Sequence, residues 1–266
     1  MANIHFMMKR LIIISFIFFS FLSHSQTGIP EKEITQNSHF WTSLNSTARI
    51  SNRWGTMGDI HIRRENFVKY PNFYFLRAGA VYWASDNLTI AGGLAHLWLA
   101  NKFEDGFHYA GEKRIYQQVQ WREKLNNSFF LFRVRNEQRW HEVLNQNAEV
   151  DRVRFSNRLR FLFSATFQIF EDPYLPRIVV ADEMLVHFGK EIIFNTFDQN
   201  RTFFGVSQRL SKSLSFDLGY MLVYQQKYSG YQYDMNHTFR WFFYYSPDFR
   251  KNKKEGMDHY PMSGDE

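Results

Sequence analysis

Arginine at alternate positions is the chemistry this chain displays most openly. Arg133, Arg135 and Arg139 flank Glu137, and Arg152, Arg154, Arg158 and Arg160 follow. In an extended chain successive side chains point to opposite faces, so each set shares one face. Rows of planar, permanently charged guanidinium groups either clamp carboxylate or phosphate ligands, or interlock with acids of the same chain. Arg63, Arg201, Arg209 and Arg240 fall on the polar phase of other segments and join the set. The opposing acids are fewer: Asp59, Glu65, Glu137, Asp217 and one of Asp182 or Glu183. These residues are expected to line an enclosed polar space, as an interlocked plug or as a narrow conduit or binding cavity for small anionic solutes.

Histidine offers less. His61 shares a face with Asp59, Arg63 and Glu65, but His96, His187 and His237 lie in other segments, and neither a G-x-S-x-G nor an H-E-x-x-H motif occurs. No catalytic residue is assigned, and no cofactor is expected. Asp59 and His61 lack a third metal ligand, so no metal site is assigned either. Gly79 and the Gly92-Gly93 pair read as sites of close strand approach, without the context of a phosphate cradle.

The elements that position the arginines are legible from the opposite phase. Val153, Phe155, Leu159, Phe161, Phe163 and Phe167 oppose the arginines of their segment, and Phe130, Phe132 and Val134 oppose Arg133 and Arg135. Eleven strand-like segments lie near 39–50, 54–64, 73–84, 88–100, 114–124, 128–140, 152–168, 177–188, 201–210, 213–226 and 234–246. Tyr74 and Tyr82 bracket Leu76, Ala78 and Ala80 at the length of a tilted spanning strand with an aromatic at each interface. The fold class expected is all-β, an antiparallel up-and-down transmembrane β-barrel of about 10–12 strands over residues 39–246. Tight turns near 51–53, 85–87, 125–127 and 211–212 alternate with longer loops at 65–72, 101–113, 141–151, 189–200 and 227–233, predicting a short-turn rim and a long-loop rim, with the connection at 169–176, carrying Pro173 and Pro176, on the short-turn rim. Eleven is odd, so either residues 28–38 supply a twelfth strand, the reading preferred, or one segment is misjudged.

Compartment follows from the N-terminus. Lys9 and Arg10 precede an apolar run from Leu11 to Leu22, then Ser23-His24-Ser25 and Gln26. That pattern predicts a signal peptide over residues 1–25, cut before Gln26 and followed by an N-terminal segment at 26–38. Removing its two cations lowers the formal charge from +6 to +4, a mild excess that gives no case for nucleic acid. Cysteine is absent, which excludes disulfides, thiolate metal sites and a lipid-modified cysteine. The chain is 19% aromatic, with 29 Phe, while mean hydropathy is −0.43, as interleaved polar and apolar residues require. The outer membrane is the expected location and its lipid the expected partner. Residues 247–266 read as a disordered polar tail.

Two other classes compete. A soluble periplasmic ligand-binding barrel would bury Phe155, Leu159 and Phe161 and wet Arg154 and Arg158 outside. An outer-membrane lipid-modifying enzyme would depend on His61 or His96.

The stretches Ile62-Arg63-Arg64-Glu65-Asn66-Phe67, Arg114-Ile115-Tyr116-Gln117-Gln118, Arg135-Asn136-Glu137-Gln138-Arg139-Trp140, Asp182-Glu183 and Phe197-Asp198-Gln199-Asn200-Arg201 resemble an exported Gram-negative family, domain of unknown function 2490. The resemblance covers about residues 30 to 250 and implies an outer-membrane β-barrel; it carries over no activity.

Overall fold

A computed structural model of the chain describes residues 30–250. The predicted signal peptide and the tail beyond Arg250 lie outside the described residues. Eleven strands form one closed barrel: β1 (Glu33–Arg49), β2 (Trp54–Glu65), β3 (Tyr70–Trp83), β4 (Leu88–Phe103), β5 (Gly106–Leu125), β6 (Ser128–Leu144), β7 (Val150–Phe167), β8 (Arg177–Phe188), β9 (Phe197–Arg209), β10 (Leu214–Gln226) and β11 (Gln232–Tyr245).

Each consecutive pair is antiparallel, but β1 pairs with β11 in parallel, from Glu33 opposite Gln232 to Ser46 opposite Tyr245. The reason is parity: the first and last of eleven meandering strands run in the same direction, so the sheet can close only through a parallel ladder. The expected twelfth strand is therefore absent among the described residues. Residues 33–38 extend β1 instead, and they supply the upper part of the closing seam. The up-and-down antiparallel expectation holds for every junction but this one.

The predicted contrast between rims also needs correction. At the upper rim, where β1 begins, β4 and β5 take up most of the expected loop 101–113 and turn tightly between Phe103 and Gly106, whose φ of 140° favours glycine. At the lower rim, where β1 ends, the connection from β7 to β8 through residues 168–176 stands where the sequence places it and is one of the longest. The rims thus differ in how far strands project, because the alternating pattern runs on through residues that polarity alone marks as loop.

Alternation then sorts every wall residue. Along β6 the inward side chains are Phe129, Leu131, Arg133, Arg135, Glu137 and Arg139, and the outward ones include Phe130 and Phe132. Outward apolar residues form a band around the barrel, among them Ile60, Leu76, Leu94, Val119, Phe163, Val180 and Phe204. Aromatic pairs stand toward its edges, with Trp54 against Tyr82 at the lower rim and Tyr74 against Tyr109 higher up.

The interior is filled in its lower half by apolar side chains. Phe129, Leu131, Leu162, Val179, Phe203, Met221, Phe242 and Tyr244 form one cluster, and Met57, Val81, Trp83, Ala91 and Tyr116 form a second. Glycine makes room for these rings: Gly79 faces Gly93 across β3 and β4, and a Cβ on Gly79 would overlap the Tyr116 hydroxyl. The chain does not become a free tail at Pro247. Backbone hydrogen bonds from Arg49 N–H to the Pro247 carbonyl, 3.0 Å, and from Phe249 N–H to the Arg49 carbonyl, 2.9 Å, hold it against the end of β1.

Candidate functional site: an arginine lattice beneath an open cup

Above the apolar layer the inward residues become charged. Among the described residues, eleven arginines and six carboxylates are buried; Arg49 and Arg177 stand at the lower rim, and Arg240 packs against the apolar layer. Burying so many charges is tolerable only when most are paired and hydrogen-bonded.

The pairing forms a connected lattice. Glu183 on β8 accepts from Arg160 through Nε and Nη2, 2.9 and 2.8 Å, from Arg133 at 2.8 Å and from Arg201 at 3.2 Å. Arg160 also donates to Glu137 at 3.1 Å, and Arg158 binds the same carboxylate at 2.6 and 2.8 Å. Arg158 continues to Asp198 at 2.9 Å, so one network joins β6, β7, β8 and β9 across the lumen. A second centre lies higher, where Arg139 makes a two-pronged contact with Glu112 at 2.9 Å each and Arg114 shares that acid. Asp59 pairs with Arg77, and Arg135 donates twice to Gln118, at 2.9 and 2.7 Å.

Over this lattice the barrel opens into a cavity of about 680 Å³. Arg63, Arg77, Arg114, Arg135, Arg139, Arg158, Arg160 and Arg201 contribute to its wall, against the acids Glu65, Asp198 and Asp234. Arg63 lies flat over Trp41 at 3.5 Å and is flanked by Phe73 at 4.5 Å, which fixes its guanidinium at the wall. The amides of Asn37, Asn72, Gln199, Gln225 and Asn236 complete the lining. Leu131, Val179, Trp83 and Phe242 do not border this cavity; they belong to the packed half below. Neither ring nitrogen of His61 has a hydrogen-bonding partner among the described residues, although the side chain is buried and lines the cup.

Of the predicted lining residues, Arg63, Arg133, Arg135, Glu137, Arg139, Arg158, Arg160, Arg201 and Arg240 do point inward and are covered. Arg133 and Arg240 sit below the cup. Arg240 stacks against Phe203 and Phe242 at 4.2 and 4.3 Å and donates to the Tyr244 hydroxyl at 2.7 Å. Three expectations are corrected. Arg152 is exposed above the cup, 3.9 Å from Glu191, and Arg154 lies over the Tyr228 ring at 3.9 Å, because β7 projects past the enclosed part of the barrel. Arg209 is at the lower rim beside Tyr174, at the very end of β9. Between the two candidate acids the register decides: Glu183 faces inward, opposite Arg201, and Asp182 faces outward, opposite Thr202.

Sequence reasoning missed Arg77, Glu112, Arg114 and Asp198. Arg77 was within reach, since Tyr74, Leu76 and Ala78 on the outer phase leave it only the inner one. The two enzyme candidates do not meet. His61 packs inside against Phe75 and Phe242, while His96 meets Trp98 edge to face on the outer wall, and Asp59 serves Arg77. The soluble packing is reversed as well: Phe155 is 41% exposed and Arg158 4%.

Solved structures that resemble this barrel include two of low identity. One is described as the NanC porin in a rhombohedral crystal form, 12% identical, covering 73% of this chain and 89% of its own, with a TM-score of 0.46. The other is the beta domain of the Bordetella autotransporter BrkA, 11% identical, covering 66% and 77%, with a TM-score of 0.40. No curated protein matches the sequence. A family model described as protein of unknown function, DUF2490, matches residues 38–245, nearly the whole barrel, and the chain belongs to that family.

Proposed function

We propose that this protein is an outer-membrane β-barrel that binds small anionic solutes in a cup open at one rim and sealed toward the other. Hydrocarbon is the solvent that suits the outer band, because a contiguous apolar belt of this extent in water is an aggregation surface. The same assignment explains why charged side chains alternate inward: a cation facing lipid at midplane costs about 2–4 kcal/mol.

The observation that carries the reading is the wall of the cup, where eight arginines stand against Glu65, Asp198 and Asp234 above a packed base. Guanidinium groups that border an open cavity present directed donors to carboxylate, sulfate or phosphate oxygens. The apolar layer and the lattice together act as the plug. Low dielectric around the cup strengthens what the donors give to an anion.

Citrate and sulfate, titrated calorimetrically into the full chain in detergent at low salt, are the probes. Binding is expected to weaken steeply with salt. Arg63→Gln should lower affinity about tenfold or more, the worth of a charge-assisted hydrogen bond at about 1.5–3 kcal/mol. The same protein in planar bilayers should carry no steady current. Stable anion-selective steps, or titrations flat for both probes, would contradict the cup.

A further inference from the structure

Midway along β8 the outer wall carries a carboxylate. Asp182 lies five residues past Arg177, the first residue of β8. At about 3.3 Å per residue and a tilt near 40° that is about 13 Å of height, half of a roughly 25 Å apolar band. Its surroundings are exposed apolar residues: Val180, Met184, Phe163 and Phe204. The amides of Gln117, Asn136 and Gln138 bond to one another on the β5–β6 wall, but no charge is among them.

The carboxylate is held in place. Asn200 Nδ2 donates to both oxygens at 3.0 and 3.1 Å, and Thr202 Oγ1 donates to Oδ2 at 2.8 Å. Two neutral donors do not exhaust a carboxylate, which offers about four acceptor sites. Asn200 also retains a second N–H, whose reach to the Glu183 carbonyl is 3.5 Å. The patch thus holds a carboxylate with open acceptor sites beside an amide N–H engaged only by a 3.5 Å contact, amid exposed apolar neighbours.

We infer that this face, centred on Asp182, Asn200 and Thr202, is the contact between two copies of the chain within the bilayer. A patch with adjacent donor and acceptor is self-complementary. A two-fold axis through it places each Asn200 amide against the other copy's Asp182, satisfying both groups at once and removing the carboxylate from lipid. The inference rests on the membrane placement of the barrel and is independent of what the cup binds.

The chain has no cysteine, so single-cysteine variants report without background. Thr202→Cys and Val180→Cys, in the full chain in phosphatidylcholine vesicles, should oxidise mainly to covalent dimers. Val119→Cys on the β5 wall should stay monomeric while reacting with a lipid-phase maleimide. Asp182→Leu should cut the Thr202→Cys cross-link several-fold and halve the protein mass of the detergent-purified chain. Thr202→Cys and Val180→Cys that remain monomeric and react from lipid as fast as Val119→Cys would overturn the contact. So would a link to a different protein in native membranes with none between purified copies. A Val119→Cys that fails to react from lipid would instead break the membrane placement itself.

Discussion

Replacing Glu183 with alanine is expected to cost the folded barrel about 3–5 kcal/mol, the range for removing one partner from a buried ionic network. The side chain binds Arg133, Arg160 and Arg201 at once. Without it those guanidinium groups keep their desolvation and lose their shared counter-charge. The folding midpoint in urea, measured in lipid vesicles, should fall accordingly. Glu65→Ala at the upper rim, whose carboxylate accepts only a 3.5 Å contact from Asn72, should shift it by less than about 0.5 kcal/mol. Equal effects at the two positions would mean that water inside the barrel, and not the lattice, neutralises the arginines.

The second large effect is expected outside. Leu94 is 64% exposed on the outer wall, between Ala78 and Ile115 and six residues past the lower end of β4. Leu94→Arg should cost about 2–4 kcal/mol in a bilayer at midplane depth, whereas Phe188→Arg at the upper end of β8 should cost only about 0–1 kcal/mol. The depth dependence is the point of the pair. A surface washed by water would accept arginine at both places within about 0.5 kcal/mol. Folding titrations in vesicles of the two variants measure the difference directly.

These predictions depend on which faces the sequence made legible. Wherever one phase was apolar and the other charged, as along β7 and the middle of β6, alternation assigned each side chain to the correct side of the wall. It failed where both phases are apolar. Phe129-Phe130-Leu131-Phe132 and Trp241-Phe242-Phe243-Tyr244-Tyr245 place rings on both faces, so the packed lower half of the interior was invisible. Residues read as loop were lost too: Glu112 and Asp198 sit beside Gly111 and in a polar stretch, yet they extend β5 and begin β9. The parallel closure of β1 on β11 joins the two ends of the barrel, which no local pattern can announce. The short motifs Asp182-Glu183 and Asp198-Gln199-Asn200-Arg201 gained their meaning from register alone. They face each other across β8 and β9, with Glu183 and Arg201 inside and Asp182 and Asn200 outside.

The central claim is the direction of the β7 side chains, and solvent-selective labelling reads it most directly. Single cysteines at Phe155, Phe161, Phe163, Arg158 and Arg160, in the otherwise cysteine-free chain folded in vesicles, would be exposed to a membrane-dissolved and a membrane-impermeant maleimide. The phenylalanine positions are expected to react only from the lipid phase, and Arg158 and Arg160 only from water, through the cup. Phenylalanine positions protected from both reagents, with Arg158 and Arg160 freely labelled from outside, would contradict the account.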